Sequence, residues 1–238
     1  MDLLLLSALG LGFVLGLEHA LDADHVVAVS TIVSRTRSVF RAVLMGVFWG
    51  LGHTTTLVIV AGILMVILKV AIPEPVALSL EFGVGIMLVF LGVTVLRSWF
   101  LERRHTHQHL HQAAQQHEHS HAHHSGVEHE HAHGFKRPYL IGIVHGMAGS
   151  AALFLLALAE IESTEAAIAY IVLFGSGSIL GMLLVTAAIS LPFVISAQRF
   201  QNLNGAIRVV SGSLSILLGL IVMYEIGFME GLFASLGG

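Results

Sequence analysis

Apolar residues in this chain come in long runs, not in the short alternating or amphipathic patterns of a water-soluble fold. Six runs reach the length of about 20 residues that a helix needs to cross the hydrocarbon of a bilayer. They cover roughly 3–33, 41–69, 76–99, 138–159, 165–195 and 203–226. The first, second and fifth are longer than a crossing needs, which leaves room for tilt, a kink or a break. Pro73 and Pro75 fall in the second connection. Pro138 opens the fourth run, where a missing N–H costs nothing, and Pro192 is expected to kink or end the fifth. The pattern predicts an all-α polytopic membrane protein with six transmembrane helices.

Composition supports this reading: 55% of the 238 residues are apolar and only 11% are charged, against about a quarter charged in a soluble domain. With no cysteine, disulfides, thiolate metal sites and cysteine nucleophiles are excluded, so any metal must take His, carboxylate, Met, hydroxyl or backbone donors. The start, Met1-Asp2-Leu-Leu, lacks the basic segment of a cleaved signal peptide. No nucleic-acid partner and no prosthetic group are expected.

Charge distribution sets the orientation. With six single crossings, Arg35, Arg37, Arg41, Arg97, Arg103, Arg104, Lys136, Arg137, Arg199 and Arg208 share one face, and only Lys69 lies on the other. The positive-inside rule makes the arginine-rich face cytoplasmic and puts both termini outside, for a multi-pass protein of the plasma (inner) membrane.

A repeat runs through the same segments. Gly16-Leu-Glu-His19-Ala-Leu lines up with Gly142-Ile-Val-His145-Gly-Met, and Phe48-Trp-Gly-Leu-Gly52 with Phe174-Gly-Ser-Gly177. The run from Gly85 to Gly92 matches that from Gly212 to Gly219, so the offset stays near 126 residues. Three spans is an odd number, so the halves have opposite orientation: a 3+3 inverted repeat, a transporter design. The expected organisation is a first three-helix repeat over 1–99, a disordered His-rich cytoplasmic loop over 100–137, and a second repeat over 138–238. Glu81 and Arg208, near-equivalent in the repeats, are expected at solvated span ends.

Residues 105–133 hold twelve of the sixteen histidines in a low-complexity polar tract. His117, His119, His121, His123, His124, His129, His131 and His133 are its candidates for auxiliary metal binding. The two matches to H-E-x-x-H, at His117 and His129, are products of composition, since no apolar helix surrounds them. The tract reads as a buffer or sensor that collects metal near the pore mouth, and as a landing site for a cytosolic metal chaperone.

The four remaining histidines, His19, His25, His53 and His145, all fall inside apolar runs. Around the first two, Glu18, His19, Asp22, Asp24 and His25 place three carboxylates and two imidazoles within eight residues. A charge at bilayer depth costs about 2.5–3.5 kcal/mol even on the lenient scales, so such groups face inward and serve a function. Imidazole with carboxylate suits borderline divalent ions such as nickel, cobalt and zinc. On an ideal helix at about 100° per residue, Glu18, Asp22 and His25 share a face, with His19 at its margin. Asp24 points nearly the other way, so either the helix is distorted or Asp24 orients a ligand imidazole. His53 leads into Thr54 and Thr55 after Gly46, Gly50 and Gly52, and His145 lies between Gly142 and Gly146, ahead of Ser150. Small residues at that spacing permit close helix approach, within one chain or between the subunits of a homo-oligomer. A single membrane histidine is often only an interhelical hydrogen-bond partner, which is the alternative for His53 and His145. Packing alone gives no reason for the cluster at 18–25.

These motifs resemble the nickel/cobalt transporter (NiCoT/NicO) superfamily and its urease-accessory branch of nickel permeases. The family's histidine, four residues, then Asp-His is matched by His19-Ala-Leu-Asp-Ala-Asp24-His25, and its Leu-Gly-His-Ser/Thr by Leu51-Gly52-His53-Thr54. The stretch from Gly142 to Ser150 looks like the urease-accessory branch. The resemblance implies metal recognition by His19, Asp24 and His25, with Asp22 their close associate and His53 further along the pathway. Many of these importers have eight spans with the motif in the second, whereas here it lies in the first of six.

The expected function is therefore a secondary permease, not an enzyme, that takes up Ni²⁺ or Co²⁺ through an intramembrane site. His19, Asp22, Asp24, His25, His53 and His145 are its metal candidates, with Glu18, Thr54, Thr55 and Ser150 around them. No G-x-x-x-x-G-K-[ST] phosphate loop is present to couple ATP. The alternative is an efflux protein whose His-rich loop collects cytosolic metal. More remote are a membrane metalloenzyme, which needs about twice as many histidines, grouped in HxxxH/HxxHH boxes where these four are dispersed, and a metal sensor.

Overall fold

The computed structural model describes residues 3–67, 69, 73–104, 135–147, 161 and 163–236. Among them every regular element is helical. In chain order these are α1 (Leu3–His19), α2 (Ala23–Val33), α3 (Val39–Leu57), α4 (Glu74–Arg104), α5 (Lys136–Met147), α6 (Thr164–Arg199), α7 (Gln201–Tyr224) and α8 (Leu232–Leu236). Helix α3 runs on as a wide π-type helix over Val58–Ile67, and α7 does the same over Glu225–Met229. The His-rich tract and Ser150 lie outside the described residues.

Among the described residues, four helical segments are long and apolar enough to cross a membrane: Val39–Val60, Glu74–Glu102, Thr164–Arg199 and Asn202–Met229. The first expected span departs from a single crossing. It breaks at Ala20–Asp22, so α1 and α2 are two short helices, with Asp22 in an extended conformation (φ −57°, ψ 145°) at the N-cap of α2. The fourth expected span is described only as far as Met147. Pro192 does not end its helix, since α6 continues to Arg199. Leu184, Phe90, Val210 and Leu217 are about half exposed or more on the outer surface. Such a surface is a liability in water and ordinary against lipid.

Helices pair in a fixed scheme: α1 on α6, α5 on α3, α3 on α6 and α4 on α7, with α2 touching α4, α6 and α7. Glycines set how closely these pairs approach. A methyl group at Gly16 would strike the carbonyl of Phe174 and the backbone N of Ser178, and one at Gly142 the carbonyl of Trp49 and the backbone N of His53. Gly52 meets the backbone at Tyr139 and Ile143, and Gly177 meets it at Phe13 and Leu17. Gly85 abuts Gly219, and Gly92 abuts Gly212. The residues met by Gly16 and by Gly142, and those met by Gly52 and by Gly177, stand 125 or 126 residues apart in the chain.

Between the glycines, hydroxyls bridge helices. Thr54 donates to the Gly175 carbonyl (3.2 Å), Thr56 to that of Ile143 (3.0 Å) and Ser215 to that of Leu88 (2.7 Å). In an apolar medium such bonds add about 0.6 kcal/mol each. The core they enclose centres on Trp49, Leu88, Met182 and Phe193, each 2% exposed or less. Arg208 is not solvated at its span end as expected: it is 7% exposed. It donates to both carboxylate oxygens of Glu102 (2.6 and 3.1 Å) and to Ser98 Oγ (3.1 Å). Glu81 is partly buried.

Candidate metal centre

The break in the first span builds the centre. Helix α1 ends on His19, the chain turns through a bond from Leu21 N–H to the Glu18 carbonyl (2.8 Å), and α2 carries Asp24 and His25 in its first turn. Because the helix phase resets between them, His19 and His25 converge, their ring centroids 4.5 Å apart. Helix α3 brings His53, at 5.1 Å from the His19 ring and 5.3 Å from that of His25. Helix α5 brings His145, at 4.0 Å from His25. All four imidazoles are buried: His19 is 7% exposed, and His25, His53 and His145 are 2% or less.

Asp24 sits between two of them. Its Oδ1 accepts from the His25 backbone N–H (2.8 Å) and lies 2.9 Å from His25 Nδ1, while its Oδ2 lies 2.9 Å from His145 Nε2. An ionised carboxylate only accepts, so the ring nitrogens that face it carry the protons. The opposite nitrogens, Nε2 of His25 and Nδ1 of His145, then hold lone pairs, and both are buried without a hydrogen-bond partner among the described residues. Asp22, half exposed, does the same for His19, with its Oδ2 2.7 Å from Nδ1. This leaves His19 Nε2 facing His53 Nε2 at 3.2 Å, and His53 Nδ1 is buried and unpartnered. An unsatisfied buried polar atom costs about 1–3 kcal/mol. Three imidazole nitrogens in that state, each in a ring whose other nitrogen is engaged, form the pattern by which proteins prepare histidines for a metal.

Among the described residues, two groups each hold donor atoms within 4.8 Å of one another: His19, His25 and His53, and then Asp24, His25 and His145. His25 belongs to both. One set offers three nitrogens and the other two nitrogens with a carboxylate oxygen, and both compositions suit borderline divalent ions.

The structure thus brings together His19, Asp22, Asp24, His25, His53 and His145. Glu18 is exposed. Thr55 bonds within its own helix, to the Leu51 carbonyl (2.7 Å), and receives the Tyr139 hydroxyl (3.3 Å), while Thr54 ties α3 to α6. Sequence reasoning missed the walls of the centre. Trp49 stacks on His25 (5.4 Å, 29°) and Phe174 lies 5.6 Å from His19. Both stand in the glycine-containing stretches that the sequence aligns, Phe48–Gly52 and Phe174–Gly177. Since Glu18 points away from the cluster, Glu18→Gln should leave metal accumulation unchanged and shift stability by no more than about 0.5 kcal/mol. Cellular ⁶³Ni accumulation at matched protein level checks this.

Comparison with known proteins agrees with this chemistry. Residues 5–233 match the model of the NicO family, described as high-affinity nickel-transport protein. The chain is 41% identical over 229 residues to the urease accessory protein UreH of Bacillus sp. (strain TB-90), with 96% of each chain covered. No solved structure matches.

Proposed function

The chain belongs to the high-affinity nickel-transport protein family, and on that footing we propose that it is a secondary permease carrying Ni²⁺, or Co²⁺ by the same donors, inward across the plasma membrane. One observation carries the reading: Asp24 holds His25 and His145, from two different helices, so that each presents a buried lone pair beside those of His19 and His53. A hydrated ion would exchange waters for His19, His25 and His53. Moving on to Asp24, His25 and His145 would require the ring protons that Asp24 accepts to leave, so that carboxylate and imidazoles turn from hydrogen-bond partners into ligands. A mixed nitrogen and oxygen set holds it loosely enough to release it.

The two halves act as an inverted pair in this reading. The matched glycine contacts, Gly16 with Gly142, Gly52 with Gly177 and Gly85 with Gly92 across to Gly219 and Gly212, support it. Rocking of one half against the other would open the centre to each side in turn. The driving force is the membrane potential, about 4.6 kcal/mol per 100 mV for a divalent ion. The cytoplasmic His-rich tract would receive the ion, alone or with a cytosolic metal chaperone.

His19→Ala should abolish ⁶³Ni accumulation in cells at unchanged protein level, and normal accumulation would refute the site. Direction is tested by deleting 105–133 and following metal tolerance beside uptake. Uptake reduced with tolerance intact fits import, whereas lost tolerance with raised accumulation marks an efflux protein.

A further inference from the structure

A polar cavity lies at the arginine-rich end of the bundle. It has a volume of about 440 Å³ and is lined by Arg35, Arg37 and Arg208, with Trp99, Asn202 and Asn204 completing its wall. The carboxylate of Glu102 also faces it, so three guanidinium charges meet one negative charge there. Glu102 is taken up by its two bonds from Arg208, and Arg208 Nε, deeply buried, has no partner among the described residues. Burial, and next the charge of Arg208, lower the proton affinity of the Arg35 guanidinium. The second of these effects marks a surplus of positive charge.

The backbone adds to this surplus. Helix α7 starts at the cavity, and its N-cap, Phe200, makes no side-chain cap. The first-turn N–H groups of a helix have no partner within it, and the helix dipole makes that end positive. Asn202 and Asn204 stand in this turn, and the Asn204 amide already donates to the Phe193 carbonyl (3.2 Å) and Ser196 Oγ (3.1 Å). Trp99 lies against Gly205, where a methyl group would come within 2.8 Å of its indole nitrogen. An indole at the end of a membrane span sits at headgroup level.

We propose that this cavity binds a phosphate group, carried by an anionic phospholipid or free in solution. The observations agree on the sign and chemistry of the ligand. Uncapped N–H groups and several guanidinium groups call for an anion with more than one acceptor oxygen. A divalent cation is repelled, so the cavity is separate from the metal pathway.

The test uses the full-length protein in detergent. It is titrated with dioctanoyl phosphatidylglycerol, with inorganic phosphate, and with dioctanoyl phosphatidylcholine as the uncharged reference, and followed by thermal shift and native mass spectrometry. Retention of the glycerol lipid with no response to phosphate assigns a lipid headgroup. A thermal shift with phosphate that displaces the lipid assigns the free anion. In either case Arg37→Gln should weaken binding about fivefold, as expected for one interfacial charge. Asn202→Asp separates binding from structure: a carboxylate in the first turn favours the helix, so Tm should hold or rise while anion binding falls. The proposal is overturned if neither anion binds beyond the phosphatidylcholine reference, or if both variants bind as the parent does.

Discussion

Asp24→Asn is expected to cut ⁶³Ni accumulation by about tenfold to a hundredfold, the usual cost of losing a carboxylate that orients metal-binding histidines. Its effect should approach that of removing a single imidazole. The carboxylate fixes two rings at once, with Oδ1 on His25 and Oδ2 on His145. An amide keeps the shape but presents a donor on one side, so one of the two rings must turn its lone pair back toward residue 24. Asp22→Asn should do less, because it touches only His19 and is half exposed. Equal effects of the two variants would contradict this division of labour.

Gly142→Ala is expected to cost about 1–3 kcal/mol of stability and, in the protein that survives, to reduce transport. The added methyl group meets the Trp49 carbonyl, the Trp49 indole at 2.8 Å and the His53 backbone N at 3.0 Å. Two of these are backbone atoms of α3, which cannot move aside as a side chain would, so α5 must back away. That displacement draws His145 from His25 and loosens the wall that Trp49 provides. Gly83→Ala is the control: a methyl group there meets nothing within 4 Å, and alanine favours a helix by up to about 1 kcal/mol. Tm and ⁶³Ni uptake measured on both variants separate close packing from a general intolerance of substitution.

The helical, membrane-spanning character and the metal motif were legible because both rest on local signals: unbroken apolar runs, and ionisable residues where bilayer depth makes them costly. What was lost turned on one local event. Phase counted at 100° per residue holds only within one helix, and the break at Ala20–Asp22 resets it. Across that break the ideal helix grouped Glu18 with Asp22 and His25 and turned Asp24 away, whereas Glu18 is exposed and Asp24 bridges two imidazoles. The cue was available in Asp22, a residue type that favours N-cap positions, standing just before Ala23.

Tertiary partners were the other blind spot. Arg208 looked solvated because nothing near it in sequence could pair it; Glu102, its partner, stands 106 residues away. Trp49 stood in the sequence only as part of the aligned stretch Phe48–Gly52, and only the arrival of α2 and α5 beside α3 makes it a wall of the centre. Pro192 was expected to kink or end its helix; it does not end it, and α6 runs on to Arg199.

The central claim is that one buried set of histidines, organised by Asp24, is the path of the ion. Nickel flux into liposomes that contain a fluorescent chelator tests it most directly, with an inward-negative potential imposed and parent or His25→Ala protein reconstituted at equal density. The account predicts potential-driven flux with the parent and little above empty liposomes with His25→Ala, since both donor groups lose their shared ligand. Equal flux from the two proteins, or no flux of any divalent ion from the parent, would contradict it.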